Sequence, residues 1–394
     1  MPPSTTSIST QTVHADDALN TLPPSLGVEL QDVAPALHVS TTFRYSRDPE
    51  QLKEVNEVDL TAVEGHIYSR ETAPNATRAE AILSSITGGL ALVYSSGLAS
   101  LFAVYTYFKP KRVSIGGGYH GAHGVIDIHT RLTGLKKLPL DCPAEDLGQG
   151  DILHLETPVN PTGEAYDIAY YAAKAHSRGA LLLVDATFAP PPLLDPFAHG
   201  ADIVMHSGTK YFGGHSDLLC GVLVVRNDEW WKGLWTDRMI MGNVIGNMEG
   251  WLTVRSLRTL ELRVTRASRT AEQIVSWLAN HPSDLIDQVF HASLQAEDLG
   301  PDSWLTKQMP KGFGPVFAVH FKTPDIARRF PSCLELFHHA TSLGGVESLV
   351  EWRAMSDATV DKRLVRVSIG VEDAKDLMED IERALGKLQS SVKK

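Results

Sequence analysis

Asp202-Ile-Val-Met-His-Ser-Gly-Thr-Lys-Tyr-Phe-Gly-Gly-His-Ser216 is a short apolar run that breaks into a polar, glycine-rich loop around one lysine. Ile203, Val204 and Met205 read as a buried strand. Ser207, Thr209 and Lys210 follow at its end, and Gly208, Gly213 and Gly214 leave room for close backbone approach. A lysine so placed is either a snorkelled surface residue or an amine held in a dry cleft. Dry surroundings disfavour the charged form and make the amine a nucleophile toward carbonyl compounds.

The flanking sequence decides what surrounds that loop. Arg112 to Ile115, Asp151 to Glu156, Ala180 to Asp185, Asp202 to His206 and Leu219 to Val225 are short, mostly apolar strands. Helical faces alternate with them, as at Ile168, Tyr171, Ala172 and Ala175, with Gly179 suited to the helix end. Alternation of this kind predicts an α/β fold with a mainly parallel sheet covered on both faces. Ligands of such sheets sit beyond the carboxyl ends of the strands, where Asp185, Ser207, Lys210, Glu156 and Asn160 all fall. Upstream, Thr77-Arg-Ala-Glu80 has a capping-box pattern and opens a helix that Gly88-Gly89 ends. Leu90 to Tyr94 is a strand, Ser95-Ser-Gly97 a turn and Leu98 to Phe108 a buried helix. Free N–H groups at the start of that helix form an anion site.

Residues 1–65 read as an arm of the kind that packs on a neighbouring subunit; 66–255 are the large domain and 256–394 the C-terminal one. Trp251 to Leu278 is helical and Phe313 to Phe321 a strand. In Leu364-Val-Arg-Val-Ser-Ile369, Val365, Val367 and Ile369 share one face, Arg366 and Ser368 the other. Leu377, Ile381, Leu385 and Leu388 mark a closing amphipathic helix. If Arg366 faces the cleft, its planar fork suits a substrate carboxylate.

A chain of 394 residues with 43% hydrophobic and 21% charged residues can bury a sizeable core. A net charge of -11 argues against nucleic acid and anionic membrane surfaces as partners. Cys142, Cys220 and Cys333 lie too far apart for a zinc or disulfide pattern. No secretory signal or membrane-spanning run is evident, so a cytoplasmic location is expected. His120, His123, His338 and His339 lack a third ligand, so no metal site is expected. Gly116-Gly-Gly118 has no Walker lysine after it and reads as a turn before Tyr119.

Pyridoxal phosphate (PLP) is the carbonyl cofactor that uses such a lysine, together with a carboxylate for its ring nitrogen and a phosphate cradle. Asp185-Ala-Thr-Phe188, His206-Ser-Gly-Thr-Lys-Tyr211, Ser342-Leu-Gly-Gly-Val-Glu-Ser-Leu349 and Val365-Arg-Val-Ser-Ile-Gly-Val-Glu-Asp373 resemble the signature segments of the Cys/Met-metabolism PLP enzymes. This transsulfuration group holds cystathionine γ-synthase, the cystathionine lyases, methionine γ-lyase and the O-acylhomoserine sulfhydrylases. The resemblance runs in order from about Val13 to the C-terminal helix. It implies PLP fold type I (aspartate aminotransferase-like), with a mainly parallel sheet and a smaller C-terminal α/β domain, in a homotetramer of two dimers with shared sites. Lys210 would then form the internal aldimine and Asp185 pair with the pyridine nitrogen. Ser207, Thr209 and the amides of Gly97 and Leu98 would hold the phosphate, helped by Tyr68 and Arg70 from a neighbouring subunit. Tyr119 would stack on the ring and assist leaving-group chemistry. Arg366 would bind the substrate α-carboxylate with Ser348 and Asn160, and Glu347 is a further substrate-site candidate.

The chain also departs from the family pattern. Glu71-Thr-Ala-Pro-Asn-Ala-Thr77 replaces a shorter Asn-Pro-Thr segment, Ala186 stands where asparagine is usual, and Ala354-Met-Ser-Asp357 replaces Ala-Thr-Met-Thr-His. The cofactor site is intact, while one wall of the substrate site is changed. Leu343 in Ser-Leu-Gly-Gly resembles the γ-acting members rather than the β-lyases, which carry an aromatic residue there. The expected reaction is γ-replacement on an O-acylated homoserine, through aldimine, quinonoid and vinylglycine-type intermediates, with a thiol or carbon nucleophile. Elimination of the cystathionine lyase or methionine γ-lyase type is the alternative. A non-catalytic PLP-fold protein is a further reading, against which Lys210, Asp185, Tyr119 and Arg366 speak.

Overall fold

A computed structural model of the chain describes residues 6–20, 33–54, 57 and 65–392. Of the expected arm, residues 1–5, 21–32 and most of 55–64 lie outside the described residues. In chain order the large sheet is built from β1 (Leu90–Tyr94), β2 (Arg112–Ile115), β3 (Lys136–Pro139), β4 (Ile152–Glu156), β5 (Leu181–Asp185), β6 (Ile203–Ser207) and β7 (Gly221–Val225). Their spatial order is β1-β7-β6-β5-β4-β2-β3. The run from β3 to β6 is parallel, and β7 is antiparallel to both β1 and β6. Central strands such as Leu181-Leu-Leu-Val184 are apolar throughout because helices cover both faces. Those helices include α1 (Ile8–His14), α2 (Pro74–Thr87), α3 (Gly97–Phe108), α4 (His120–Thr133), α5 (Ile168–His176), α6 (Asp228–Met241) and α7 (Asn247–Leu257).

The chain then enters α8 (Leu260–Ala279) and a second sheet of β8 (Ile286–Phe290), β9 (Val316–Phe321), β10 (His338–His339), β11 (Leu349–Trp352) and β12 (Leu364–Ser368), ordered β10-β11-β12-β9-β8. Val365, Val367 and Ile369 join the apolar core beneath this sheet with Leu377, Ile381, Leu385 and Leu388, which lie on the terminal helix spanning Ala374–Val392. Arg366 points the other way, as the alternation requires.

Several expectations are corrected in detail. Helix α2 begins at Pro74, so Thr77 is inside its first turn rather than at the cap. Glu80 is spent elsewhere, accepting from Val93 N and Arg238. Strand β3 went unread: two lysines and a proline give it no apolar alternation, and parallel pairing with β2 at the sheet edge supplies its order. The helical stretch from Trp251 is two helices, broken after Leu257, and the expected boundary at 255/256 falls inside α7. Helix α1, placed by sequence in an arm, packs on α2 and α8 of its own chain. Buried Asp16 just beyond it pairs with buried Arg78 at 3.0 Å.

Candidate active site

Strand ends β4, β5 and β6, the turn into α3 and the loops of the second sheet enclose a cavity of about 480 Å³. Its inner wall follows from main-chain register. Glu156 and Asp185 are paired across adjacent parallel strands, and Ser207 ends the next one. Both hydrogen bonds that Asp185 receives, from Thr187 N at 3.0 Å and Thr187 Oγ1 at 2.6 Å, land on Oδ1. Asp185 lines the cavity, and its Oδ2 receives no hydrogen bond from a described residue. Burial raises the Asp185 carboxyl, and the two Thr187 bonds oppose that rise. Thr187 Oγ1 in turn accepts from Ser207 N at 2.8 Å, tying the ends of β5 and β6 together.

At the start of α3, Ser96 accepts from Ala99 N at 3.1 Å and caps the helix. The Gly97 and Leu98 amides are left to point into the cavity beside Ser207 and Thr209. A Cβ at Gly97 would sit 3.1 Å from Ser207 Cβ, so any larger residue would crowd this corner. Tyr119, at the N-cap of α4, is 38% exposed in the isolated chain. Its amide donates to Glu156 Oε2 at 2.8 Å, while Oε1 takes the Asn160 amide at 2.6 Å. Burial first, and the Asp185 charge second, raise the Glu156 carboxyl.

Lys210 closes the centre. Its Nζ donates to Ser342 Oγ at 2.8 Å. Burial, with Arg366 nearby and against the pull of Glu351, lowers its pKa to about 8. Ser342 holds a left-handed φ of 86°, and a Cβ at Gly344 would stand 2.9 Å from the Lys210 carbonyl carbon. Only glycine allows the turn to close this tightly over the lysine.

The opposite wall is a charge network. Arg366 lies directly across from Glu351 in the β11–β12 register. Arg366 Nη2 donates to Glu351 Oε2 at 2.6 Å and to Ser342 O at 3.0 Å, and Nη1 donates to Asn160 Oδ1 at 3.1 Å. Arg353 Nη1 donates to the same Oε2 at 3.0 Å, and Ser356 Oγ donates to Oε1 at 2.6 Å. Burial pulls the Glu351 carboxyl upward, but Arg366, Ser356 and Arg353 outweigh it and hold it below the usual range.

Sequence reading therefore brings together Lys210, Asp185, Ser207, Thr209, Gly97, Leu98, Tyr119, Asn160 and Arg366. Ser348 and Glu347 are corrected: neither borders the cavity. Ser348 Oγ donates to Glu372 at 2.8 Å and accepts from Gly370 N at 2.9 Å, just before β11 begins at Leu349. Glu347 accepts from the Ser216 hydroxyl. Tyr68 and Arg70 stand away from this chain's own cavity, Tyr68 exposed and Arg70 donating to Met239 O at 3.2 Å. Thr187, Ser342, Glu351, Arg353 and Ser356 were missed. Glu351 had a readable signal, being a charge set between Val350 and Trp352 just as Arg366 is set between two valines.

A buried amine below the carboxyl ends of a mainly parallel sheet, closed over by a smaller sheet, defines the class: a fold-type-I enzyme that uses pyridoxal phosphate. The profile described as "Cys/Met metabolism PLP-dependent enzyme" matches residues 10–386, and the chain belongs to that family. It is 33% identical over 341 residues to a cystathionine γ-lyase of Bacillus subtilis (strain 168), covering 82% of this chain and 89% of that one. Against a cystathionine γ-synthase of Mycobacterium tuberculosis (strain ATCC 25618 / H37Rv) the identity is 35% over 341 residues, covering 82% and 87%. Among solved structures, metB of Corynebacterium glutamicum superposes with a TM-score of 0.86 at 30% identity, covering 98% of this chain and all of that one. An apo methionine γ-lyase of Micromonospora echinospora gives 0.82 at 31%, covering 97% and 100%. Lyases and synthases thus stand at similar distances, and the family is that of PLP-dependent transsulfuration enzymes.

Proposed function

We propose that the chain catalyses cystathionine γ-synthase-like γ-replacement on an O-acylated homoserine, O-acetylhomoserine among them, with a thiol or carbon nucleophile. The observation that carries this reading is Leu343, a cavity-lining residue directly after Ser342. An aliphatic residue there leaves depth beyond the substrate β-carbon that an aromatic ring would fill.

The residues fit the cofactor. Asp185 Oδ2, without a hydrogen bond from the described residues, is set to pair with a protonated ring nitrogen, and the small Gly97 corner with Ser207 and Thr209 suits a phosphate. Pyridoxal phosphate, when bound, supplies a sink for the electrons released at the substrate α-carbon. Lys210 anchors it and, once displaced by substrate, moves protons at the α- and β-carbons. A pKa lowered to about 8 leaves about a tenth of the amine neutral at pH 7, far more than an ordinary lysine has. Ser342 Oγ holds that amine between strokes. Arg366 and Asn160 take the α-carboxylate, and Tyr119 covers the cofactor face.

Tyr68 and Arg70, unspent on this chain's cavity, serve the phosphate of a neighbouring subunit in a homotetramer. Three free cysteines accord with a cytoplasmic protein. Among the described residues no helix is long and apolar enough to cross a membrane. Incubation with O-acetylhomoserine, with and without cysteine, tests the reading by mass spectrometry of products. A condensed amino acid is expected; a 2-oxo acid and ammonia with no condensed product would overturn replacement in favour of elimination.

A further inference from the structure

Glu156 belongs to the cavity lining yet has no part in the chemistry above. It makes no ion pair among the described residues, and a carboxylate in a dry site without one is costly to keep charged. Asp185, its neighbour across the β4–β5 register, adds repulsion. What stabilises the charge is a pair of backbone amides, Tyr119 N on Oε2 at 2.8 Å and Asn160 N on Oε1 at 2.6 Å.

Local sequence brings both amides to this one side chain. Gly118 has a φ of 122°, and a Cβ there would stand 2.5 Å from Glu156 Oε2. The last glycine of Gly116-Gly-Gly118 thus lets the chain lie against the carboxylate just before Tyr119. On the other side, Pro158 and Pro161 carry no N–H, and the Val159 amide donates to Glu164 O at 2.8 Å. The Asn160 amide is the donor left for Glu156.

Each amide positions something different. Tyr119 stands at the N-cap of α4 and lines the cavity. Asn160 Oδ1 accepts from Arg366 Nη1 at 3.1 Å. A carboxylate offers an acceptor to each amide, whereas a carboxamide of the same shape turns an NH2 group toward one of the two N–H donors. We infer that Glu156 is a positioning residue that couples Tyr119, over the cofactor, to Asn160 and Arg366, at the substrate α-carboxylate. The inference rests on the roles of those three residues under the proposed function and supplies the part that joins them.

Two readouts on the holoenzyme test it without turnover. Glycine affinity, followed by cofactor absorbance, reports the carboxylate side; visible circular dichroism of the bound cofactor reports the Tyr119 side. Glu156→Gln is expected to weaken glycine binding about tenfold and to change the dichroism, with the thermal midpoint reporting that the variant folds. Asn160→Ala removes the bond to Arg366 but keeps the amide, so in that background the Gln change should cost less than about twofold. A tenfold loss in both backgrounds would make Glu156 a merely structural acid and overturn the proposal, as would a change in only one readout. If the Gln variant fails to fold, Glu156→Asp replaces it, keeping the charge but withdrawing both oxygens by one methylene. Both readouts should then shift, and a wild-type value for either overturns the proposal. Unchanged glycine affinity in Asn160→Ala alone would break the α-carboxylate assignment and this proposal with it. Additive losses break only the coupling and leave that assignment standing.

Discussion

The two walls of the cavity are built on different principles. On the inner wall, Asp185, Ser207, Thr209 and Lys210 come from strand ends or the residues just after, and hydrogen-bonded register fixes where they point. On the outer wall, strand register sets Glu351 opposite Arg366, and a buried network around that single carboxylate ties Arg353 and Ser342 to them. A wall set by main chain tolerates little variation in position and serves the part of the chemistry common to the family. A wall tied together by mutual charge can be rebuilt by exchanging a few side chains, those of the segment after Glu351 among them.

The largest effect expected is on the inner wall. Under the proposed function Lys210→Ala removes both the anchor and the base, and turnover should fall about 10⁴-fold. Mass spectrometry after borohydride reduction should find no covalently held cofactor; persistence of the adduct would place the anchor elsewhere. The same lysine gives a pH test. Only the neutral amine attacks a carbonyl, so capture of cofactor by the apoprotein should be level above the pKa of about 8. Below it the neutral fraction drops tenfold per pH unit, making capture roughly 100-fold slower at pH 6 than on the plateau. Stopped-flow absorbance would follow it. Arg366→Met takes away a cation that holds the lysine pKa down, so the profile should move to higher pH. That shift would tie the two walls together electrostatically; an unmoved profile would separate them. In the same variant, loss of charged hydrogen bonds worth about 1.5–3 kcal/mol should raise KM for the amino-acid substrate roughly 10- to 100-fold.

The contrast between the walls also explains what the sequence could convey. Short apolar runs ending in Asp185 and Ser207, alternating with helical faces, suffice to place a site at the carboxyl ends of a parallel sheet. The strict alternation around Arg366 likewise names the face it shares with Ser368. What stayed hidden depends on turns and on partners far along the chain. Resemblance to a family motif names Ser348 for the substrate site, and a motif does not say which way its turn opens. The left-handed backbone at Ser342 and the close approach of Gly344 to Lys210 decide it. Arg353 meets Glu351 two residues away, but their meaning comes from Arg366, fifteen residues on and paired across the sheet.

Thr187 offers the smallest and most local test, because it belongs to the inner wall yet acts through a side chain, as outer-wall residues do. Its hydroxyl donates to Asp185 Oδ1 and accepts from Ser207 N, so under the proposed function one oxygen sets both the ring-nitrogen partner and a phosphate ligand. Thr187→Val keeps the shape and the backbone bond at 3.0 Å but removes both side-chain bonds. With one Asp185 bond gone, the opposition to burial weakens and the carboxyl should rise further, favouring its neutral form. Losing hydrogen bonds worth about 1–2 kcal/mol should weaken cofactor binding roughly tenfold, measured by equilibrium titration of the apoprotein, while Thr187→Ser restores most of it. An unchanged affinity in Thr187→Val would mean that strand register alone holds the inner wall, with no help from side chains.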